Sequence, residues 1–325
     1  MGPFLIISFI LLFFNKVYKT QLDNLIMIKT VIHGIIIFLL ILPITSAEPA
    51  EIKTGIYVLN LGKFDIGTGS FTADFYFSFK CDNICPVFDF EFSNGRAATT
   101  DKIIDLPNEK FYRIQANLNS QIDLKKYPLD SQRLQIVIED KKSTVDFVRF
   151  LPNIDESGID KDIAFTGWII KDWTAVETEH VYEVYDETYS RYVFTIPIER
   201  IALNSFLKTF LPVIFILLVM FSSYFLDPDK ITTRLAMAGS ALVASVMFHI
   251  SISNQIPPVS YLTFADKFMI LTYLMVLIAF VINVVMLELL ERKKVDLVTR
   301  IYRATEYSSI AIALLLYAFL FIVAL

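Results

Sequence analysis

From Lys230 to Gln255 the chain reads KITTRLAMAGSALVASVMFHISISNQ, long enough to cross a bilayer as a helix yet studded with Thr, Ser, Gly and His. The segments on either side are mostly Phe, Leu, Ile and Val. On a helix, Thr232, Ala236, Ser240, Val243, Met247, Ile250 and Asn254 fall on one stripe, at alternating spacings of four and three. The stripe runs from small and polar to bulky and apolar, then back to polar. Hydroxyls gain nothing against lipid, whereas water solvates them. Two readings fit: the wall of an aqueous pore with an apolar constriction, or a small-residue face for helix packing.

Other residues with chemical potential are sparse. His249 stands one residue off the stripe, which turns it toward a neighbouring helix as a hydrogen-bonding group rather than toward a pore or metal. His180 falls in a charged segment read as a loop, and Glu177/Glu179 and Asp186/Glu187 read as solvated loop charge. There is no Gly-rich phosphate loop, nucleophile elbow or HExxH, so an enzyme is not expected, nor any cofactor or metal. Cys81 and Cys85 lie four apart without His or further Cys nearby, too few ligands for structural zinc. A disulfide is the favoured reading, and closing so short a loop would contribute about 2 kcal/mol.

The elements that must carry the stripe follow from hydropathy. With 55% hydrophobic residues among 325, concentrated in the last third, the chain is not an ordinary soluble domain. Spans are expected at about 205–226, 231–253, 268–290 and 308–325. Upstream, Met27, Lys29, an apolar run over 31–41, Pro43 and Thr45-Ser46-Ala47 make a signal-peptide pattern, with cleavage expected after Ala47. Translation is expected to start at Met27, or else residues 1–26 leave with the signal; a retained signal anchor is the competing reading. The domains expected are an N-terminal extension and signal over 1–47, an exported domain over 48–199 and a membrane domain over 200–325. Arg292, Lys293, Lys294, Arg300 and Arg303 mark the connection between spans three and four as cytoplasmic, and the turn over 254–264 carries no basic residue. The expected location is the cell membrane, multi-pass and lipid-embedded, with the exported domain and the C-terminus outside. A net charge of −5 without a basic stripe gives no reason to expect nucleic acid.

Period-two alternation recurs over 51–197, most clearly at 52–61, 70–79, 87–92, 111–124, 132–139, 166–177 and 189–198. Turn residues at Gly62, Gly67-Thr68-Gly69, Asn94-Gly95, Pro107-Asn108 and Pro152-Asn153 separate them. Short strands without an amphipathic helix predict an all-β, immunoglobulin-like antiparallel sandwich, followed by a four-helix transmembrane bundle.

Lys126-Tyr127-Pro128-Leu129-Asp130-Ser131-Gln132 resembles the aromatic-Pro-x-Asp-x-Gln signature of pentameric ligand-gated ion channels, the Cys-loop receptor superfamily. In the family's order follow Thr166-Gly167-Trp168, Arg200 just before the first span, Pro212 inside it, and Ile256-Pro257-Pro258-Val259-Ser260-Tyr261 as the outer turn. The family's flanking cysteines are replaced by Ser120 and Leu134, so the chain resembles the prokaryotic members, which lack that disulfide.

The resemblance implies a homopentamer with closed cyclic symmetry and a pore lined by the second span. Thr232, Ala236 and Ser240 would form inner rings, Val243, Met247 and Ile250 an apolar gate, and Asn254 the outer end. Asp130 and Arg200 match positions that pair at the domain boundary in relatives, with Pro128 and Pro257 beside them as coupling residues. The agonist site would lie below the hairpin at about 180–191, where Tyr182, Tyr185 and Tyr189, with Phe165, are candidates for an aromatic cage around an amine. The same tyrosines fit one half-buried sheet face. Protons are the other stimulus the resemblance leaves open, through Asp155, Glu177, Glu179 or Asp186. Thr232-Thr233 stand where cation-selective relatives carry a carboxylate ring, with Arg234 next and Asp227 and Asp229 in the inner turn, so the permeant ion stays open. The resemblance thus implies an extracellular stimulus, a small molecule or protons, that opens a pore. The rival is a receptor of the same architecture that senses a ligand without conducting.

Overall fold

Strict alternation in β2 (Ser70–Lys80) places Phe71, Ala73, Phe75, Phe77 and Phe79 on one face, each at most 3% exposed. The computed structural model describes Lys29 and residues 48–324; the expected leader otherwise lies outside the described residues. Around β2 are built β1 (Ala50–Leu61), β3 (Phe90–Phe92), β4 (Gly95–Asp105), β5 (Glu109–Asn119), β6 (Ser131–Asp140), β7 (Val148–Pro152), β8 (Gly158–Ile159), β9 (Trp168–Ile170), β10 (Thr174–Tyr182) and β11 (Glu187–Arg200). One sheet runs β4-β5-β2-β1-β7, with β8 also on β1; the other runs β10-β11-β6-β3, with β9 also on β11.

The sheets face each other across an aromatic core. Ile114, Ala116 and Leu118 of β5 and Ile52 and Ile56 of β1 meet Leu134, Ile136 and Ile138 of β6 and Phe194, Ile196 and Ile198 of β11. Phe77 lies 4.3 Å from Phe79 and 5.1 Å from Phe90 between ring centroids, so aromatic contacts tie the sheets together.

Four helices follow: α1 (Ala202–Ser222), α2 (Ile231–Ser253), α3 (Phe264–Glu291) and α4 (Val295–Ala324), each in a segment long and apolar enough to span a membrane. A separate core forms where Phe210 of α1, Ala241 of α2 and Phe264, Phe268 and Val276 of α3 pack, and it includes Leu124 and Tyr127 from the sandwich.

Several sequence expectations change. The sandwich is not purely antiparallel, because β7 and β8 both pair with β1 in parallel. The segment 166–177 is two strands; the Lys171 amide still bonds the Pro197 carbonyl of β11 at 2.9 Å, and the chain then breaks from the ladder before β10 begins at Thr174. His180 belongs to β10, opposite Tyr189, and not to a loop. β4 escaped notice because RAATTDK has almost no apolar alternation; it is an edge strand with Asp101 and Lys102 on its exposed length. The basic connection shrinks to Arg292, Lys293 and Lys294, since Arg300 and Arg303 already lie on α4. Cys81 and Cys85 are joined by a disulfide.

Removing the Phe77 ring should cost about 3–5 kcal/mol, the range for a buried aromatic truncated to Ala, read as a lowered unfolding midpoint for Phe77→Ala. Burial pushes the hydroxyl of Tyr192, on β11, up to about 12. An unfolded tyrosine titrates near 10, so the folded form holds this proton more tightly and stability falls as pH rises from about 10 to about 12, by roughly 2–3 kcal/mol. Tyr192→Phe should flatten that decline in unfolding curves recorded across the window.

Candidate functional site at the junction of sandwich and bundle

β11 ends at Arg200 and α1 starts at Ala202, so strand and span are joined through Ile201 alone. At the joint the Arg200 guanidinium donates to Asp130, Nε to Oδ1 at 2.7 Å and Nη2 to Oδ2 at 3.4 Å. The Arg200 amide also donates to the Asp130 carbonyl at 3.2 Å. Gln132 Nε2 donates to the other side of the carboxylate, Oδ2, at 2.7 Å. The guanidinium carbon lies 4.4 Å from the centre of the Trp168 ring and 5.4 Å from that of Tyr127. Asp130 is 2% exposed. A buried carboxylate needs this many partners, because each lone pair left without one costs desolvation.

The loop between β5 and β6 owes its shape to the same residues. Gln132 accepts from the Asp123 amide at 3.0 Å and donates to the Asp123 carbonyl at 2.8 Å, closing the loop like one rung of a sheet. Pro128 is buried within it. Its carbonyls point at the first turn of α3: the Phe264 amide donates to the Lys125 carbonyl at 2.9 Å and the Ala265 amide to the Tyr127 carbonyl at 3.0 Å. A helix start leaves four amides without partners inside the helix, and here the sandwich supplies two of them. From the α2–α3 connection, Tyr261 Oη accepts from the Leu124 amide at 2.9 Å, while Pro257 is half-buried nearby in sequence.

Thr263 and Asp266 complete the cap reciprocally. The Asp266 amide donates to Thr263 Oγ1 at 3.2 Å and the Thr263 amide to Asp266 Oδ2 at 2.8 Å. The remaining carboxylate oxygen, Oδ1, lies 3.0 Å from His249 Nε2, and His249 Nδ1 lies 2.8 Å from Tyr273 Oη. His249 therefore faces α3, as its position off the stripe predicts. One carboxylate thus links the cap that receives the sandwich to the residue before Ile250.

α2 has two faces. Ile231, Arg234, Ala238, Ala241, Ser245 and Ile252 are buried against the other helices. Thr232, Ala236, Ser240, Val243, Met247, Ile250 and Asn254 are all exposed, Val243 and Met247 to 65% and 64%. Packing inside the chain uses the other face, leaving the stripe uncovered. Arg234 lies wholly on the buried face, away from Thr232.

The hairpin tyrosines come together in part. The rings of Tyr182 and Tyr189 meet edge-on at 5.5 Å, Tyr182 Oη donates to Glu139 at 2.8 Å, and Tyr189 Oη donates to Glu187 at 2.8 Å. With Tyr185 they line a cavity of about 330 Å³ that also holds Glu91 and Asp140. Glu139 is additionally paired with Arg191. Phe165 is not part of it; it is 8% exposed in the sandwich core, because its loop folds inward beside Trp168. Of the carboxylates considered for proton sensing, Glu177 and Glu179 are held by Arg149 at 3.1 and 2.7 Å, while Asp155 and Asp186 are exposed. The sequence reading missed Asp266, although Thr263-x-x-Asp266 ahead of an apolar run is a legible helix-start pattern.

Asp130→Asn should destabilise the chain by about 3 kcal/mol, the lower end for breaking a buried pair, since the Arg200 side chain is 21% exposed. Thermal unfolding checks this, with Glu199→Gln, whose partner Lys171 is also exposed, expected within about 0.5 kcal/mol of the parent.

No protein-family profile matches the chain. It is 23% identical over 263 residues to a proton-gated ion channel of Gloeobacter violaceus, an alignment covering 73% of this chain and 73% of that protein. That relative bears out the resemblance carried by the signature loop, the outer turn and Arg200, on a chain with a sandwich followed by four membrane-length helices. The chain is a multi-pass membrane protein that resembles the prokaryotic pentameric ligand-gated ion channels.

Proposed function

We propose that five copies of this chain surround a central axis and form an ion channel, its pore lined by α2 and opened by a stimulus acting on an extracellular sandwich. One observation carries the reading: between Leu211 and Val219 of α1, Ile270 and Val285 of α3, and Ile312 and Val323 of α4 the exposed residues are all apolar, whereas the exposed face of α2 carries Thr232, Ser240 and Asn254. Apolar faces suit lipid; a partly polar, uncovered face suits water at the centre of a ring. Val243, Met247 and Ile250 then form the gate, closing by dewetting.

The junction supplies the coupling. A stimulus that shifts the sandwich acts on the 123–132 loop, whose carbonyls hold the start of α3, and through Asp266 and His249 on the segment of α2 that carries the gate. Arg200 passes the same displacement to α1. The stimulus is a small molecule in the acidic, tyrosine-lined cavity of the hairpin, or protons; the printed description of the Gloeobacter relative favours protons. Both chain ends of the membrane domain then lie on the sandwich side.

The test is current across a planar bilayer containing the full chain under a salt gradient. The outer pH is stepped from about 7.5 to about 4, a range spanning ordinary histidine and carboxylate titration. Acid-evoked current is expected, and its reversal potential reads the permeant ion. Val243→Ser should leak at rest, with resting open occupancy up roughly tenfold, or about 1.4 kcal/mol. A Val243→Ser variant that folds and stays silent under every stimulus would instead favour a receptor that does not conduct.

A further inference from the structure

Arg234 is the largest side chain fully withdrawn from solvent, and its Nε, Nη1 and Nη2 have no hydrogen-bond partner among the described residues. Its guanidinium sits between two rings, 5.6 Å from the centre of Tyr224 and 5.4 Å from that of Tyr302. Ring faces attract the charge but give no acceptor to the in-plane N–H groups, of which guanidinium has five. Its position adds to the problem. Arg234 lies in the first turn of α2, four residues after Lys230, where the helix dipole is itself positive. Among the described helices His249 contacts Asp266 and Arg292 pairs with Glu288; none of Asp227, Asp229 and Glu306 lies within ion-pair distance of Arg234.

A second buried polar group lies at the same depth in the bundle. Asn283 of α3 is 0% exposed, and both its amide nitrogen and its oxygen are unpartnered. Ile231, Met286 and Val298 pack together at the end of the bundle away from the sandwich. One turn closer to the sandwich from that layer come Arg234 on α2, Asn283 on α3, which runs the opposite way, and Tyr302 on α4. At about 1.5 Å per residue the three lie at one height.

We propose that this layer binds one small inorganic anion of the chloride class in each subunit, held by the Arg234 guanidinium and the Asn283 amide. The set is rich in N–H donors around a positive charge that no carboxylate meets at bonding distance, which selects an anion over a cation. Full burial excludes an anionic lipid headgroup, whose acyl chains would need a lipid-exposed path. The anion neutralises the buried charge beside Thr232 and Thr233 at one end of the exposed stripe. The site does not depend on conduction, so it stands or falls separately from the channel reading.

The full chain in detergent is melted in sodium chloride, bromide or gluconate at constant ionic strength. Halide should raise the midpoint relative to bulky gluconate, and anomalous diffraction from bromide-grown crystals should give one peak per subunit between Arg234 and Asn283. Arg234→Met should lose both the halide-dependent rise and the peak; replacing a buried charge by an apolar chain of similar length is commonly tolerated. Should that variant fail to fold, Asn283→Leu provides the second arm, with a weakened halide response. Glu306→Gln should leave the halide response intact. Midpoints equal in halide and gluconate with no bromide peak would overturn the site, as would density showing Arg234 paired with Glu306 or ringed by water alone. None of these readouts uses current, so a silent bilayer leaves the site untouched and a missing anion leaves the channel reading untouched.

Discussion

Two backbone hydrogen bonds, from Phe264 and Ala265 to the carbonyls of Lys125 and Tyr127, set the architecture of the junction. Both donors belong to residues with no exposed surface, so water cannot replace the acceptors. The loop must therefore be present and must hold its carbonyls in place. Gln132 does this from one end by bridging the amide and carbonyl of Asp123, and Asp130 does it from the other by anchoring on Arg200. Arg200 is the last residue of a strand that continues into α1. The loop, one sheet, α1 and α3 are thereby linked through groups whose separation would leave polar atoms buried and unpaired.

The link extends to α2 through a single carboxylate. Asp266 uses Oδ2 to cap its own helix and Oδ1 to meet His249. A movement of the cap that breaks either contact exposes the other to loss. His249 precedes Ile250, and the ring is held on its second nitrogen by Tyr273, so the imidazole has little freedom to follow one partner alone. The apolar part of the exposed stripe is thus attached to the sandwich by polar contacts, while the rest of α2 is attached to its neighbours by packing of Ala238, Ala241 and Ser245. Polar contacts of this kind have directional minima and switch between discrete arrangements, whereas small-residue packing permits sliding.

Much of this was legible from residue order. Alternating Phe71, Phe75, Phe77 and Phe79 can only be an inward strand face, the four apolar runs can only be spans of this length, and the signature loop with Arg200 pointed to the junction. What escaped was set by tertiary register. β4 has no buried face, so no hydrophobic period records it. Phe165 sits in an irregular loop, where nothing local distinguishes a core residue from a pocket wall. The break between β9 and β10 falls where both strands run along β11, a partner remote in sequence. Arg234 is a different case. Its phase, with Ile231, Ala238 and Ala241, is that of the buried face, but a charge in that phase contradicts the ordinary rule for helix interiors.

The two ends of the bundle satisfy their buried polar groups by opposite means. Near the sandwich, Thr263, Asp266, His249, Tyr273 and the loop carbonyls use one another, and the side-chain oxygens and nitrogens of that network all have partners within the chain. At the far end Arg234 and Asn283 are more deeply buried and find none among the described residues. A network satisfied within the chain holds its members in fixed relative positions, which suits the coupling proposed for this end. An end with donors to spare is where the proposed anion would act, at the point where α1 turns into α2 and the exposed stripe begins. The buried polar chemistry of the bundle therefore divides by position: near the sandwich it is satisfied within the chain, and at the far end Arg234 and Asn283 are left without partners among the described residues.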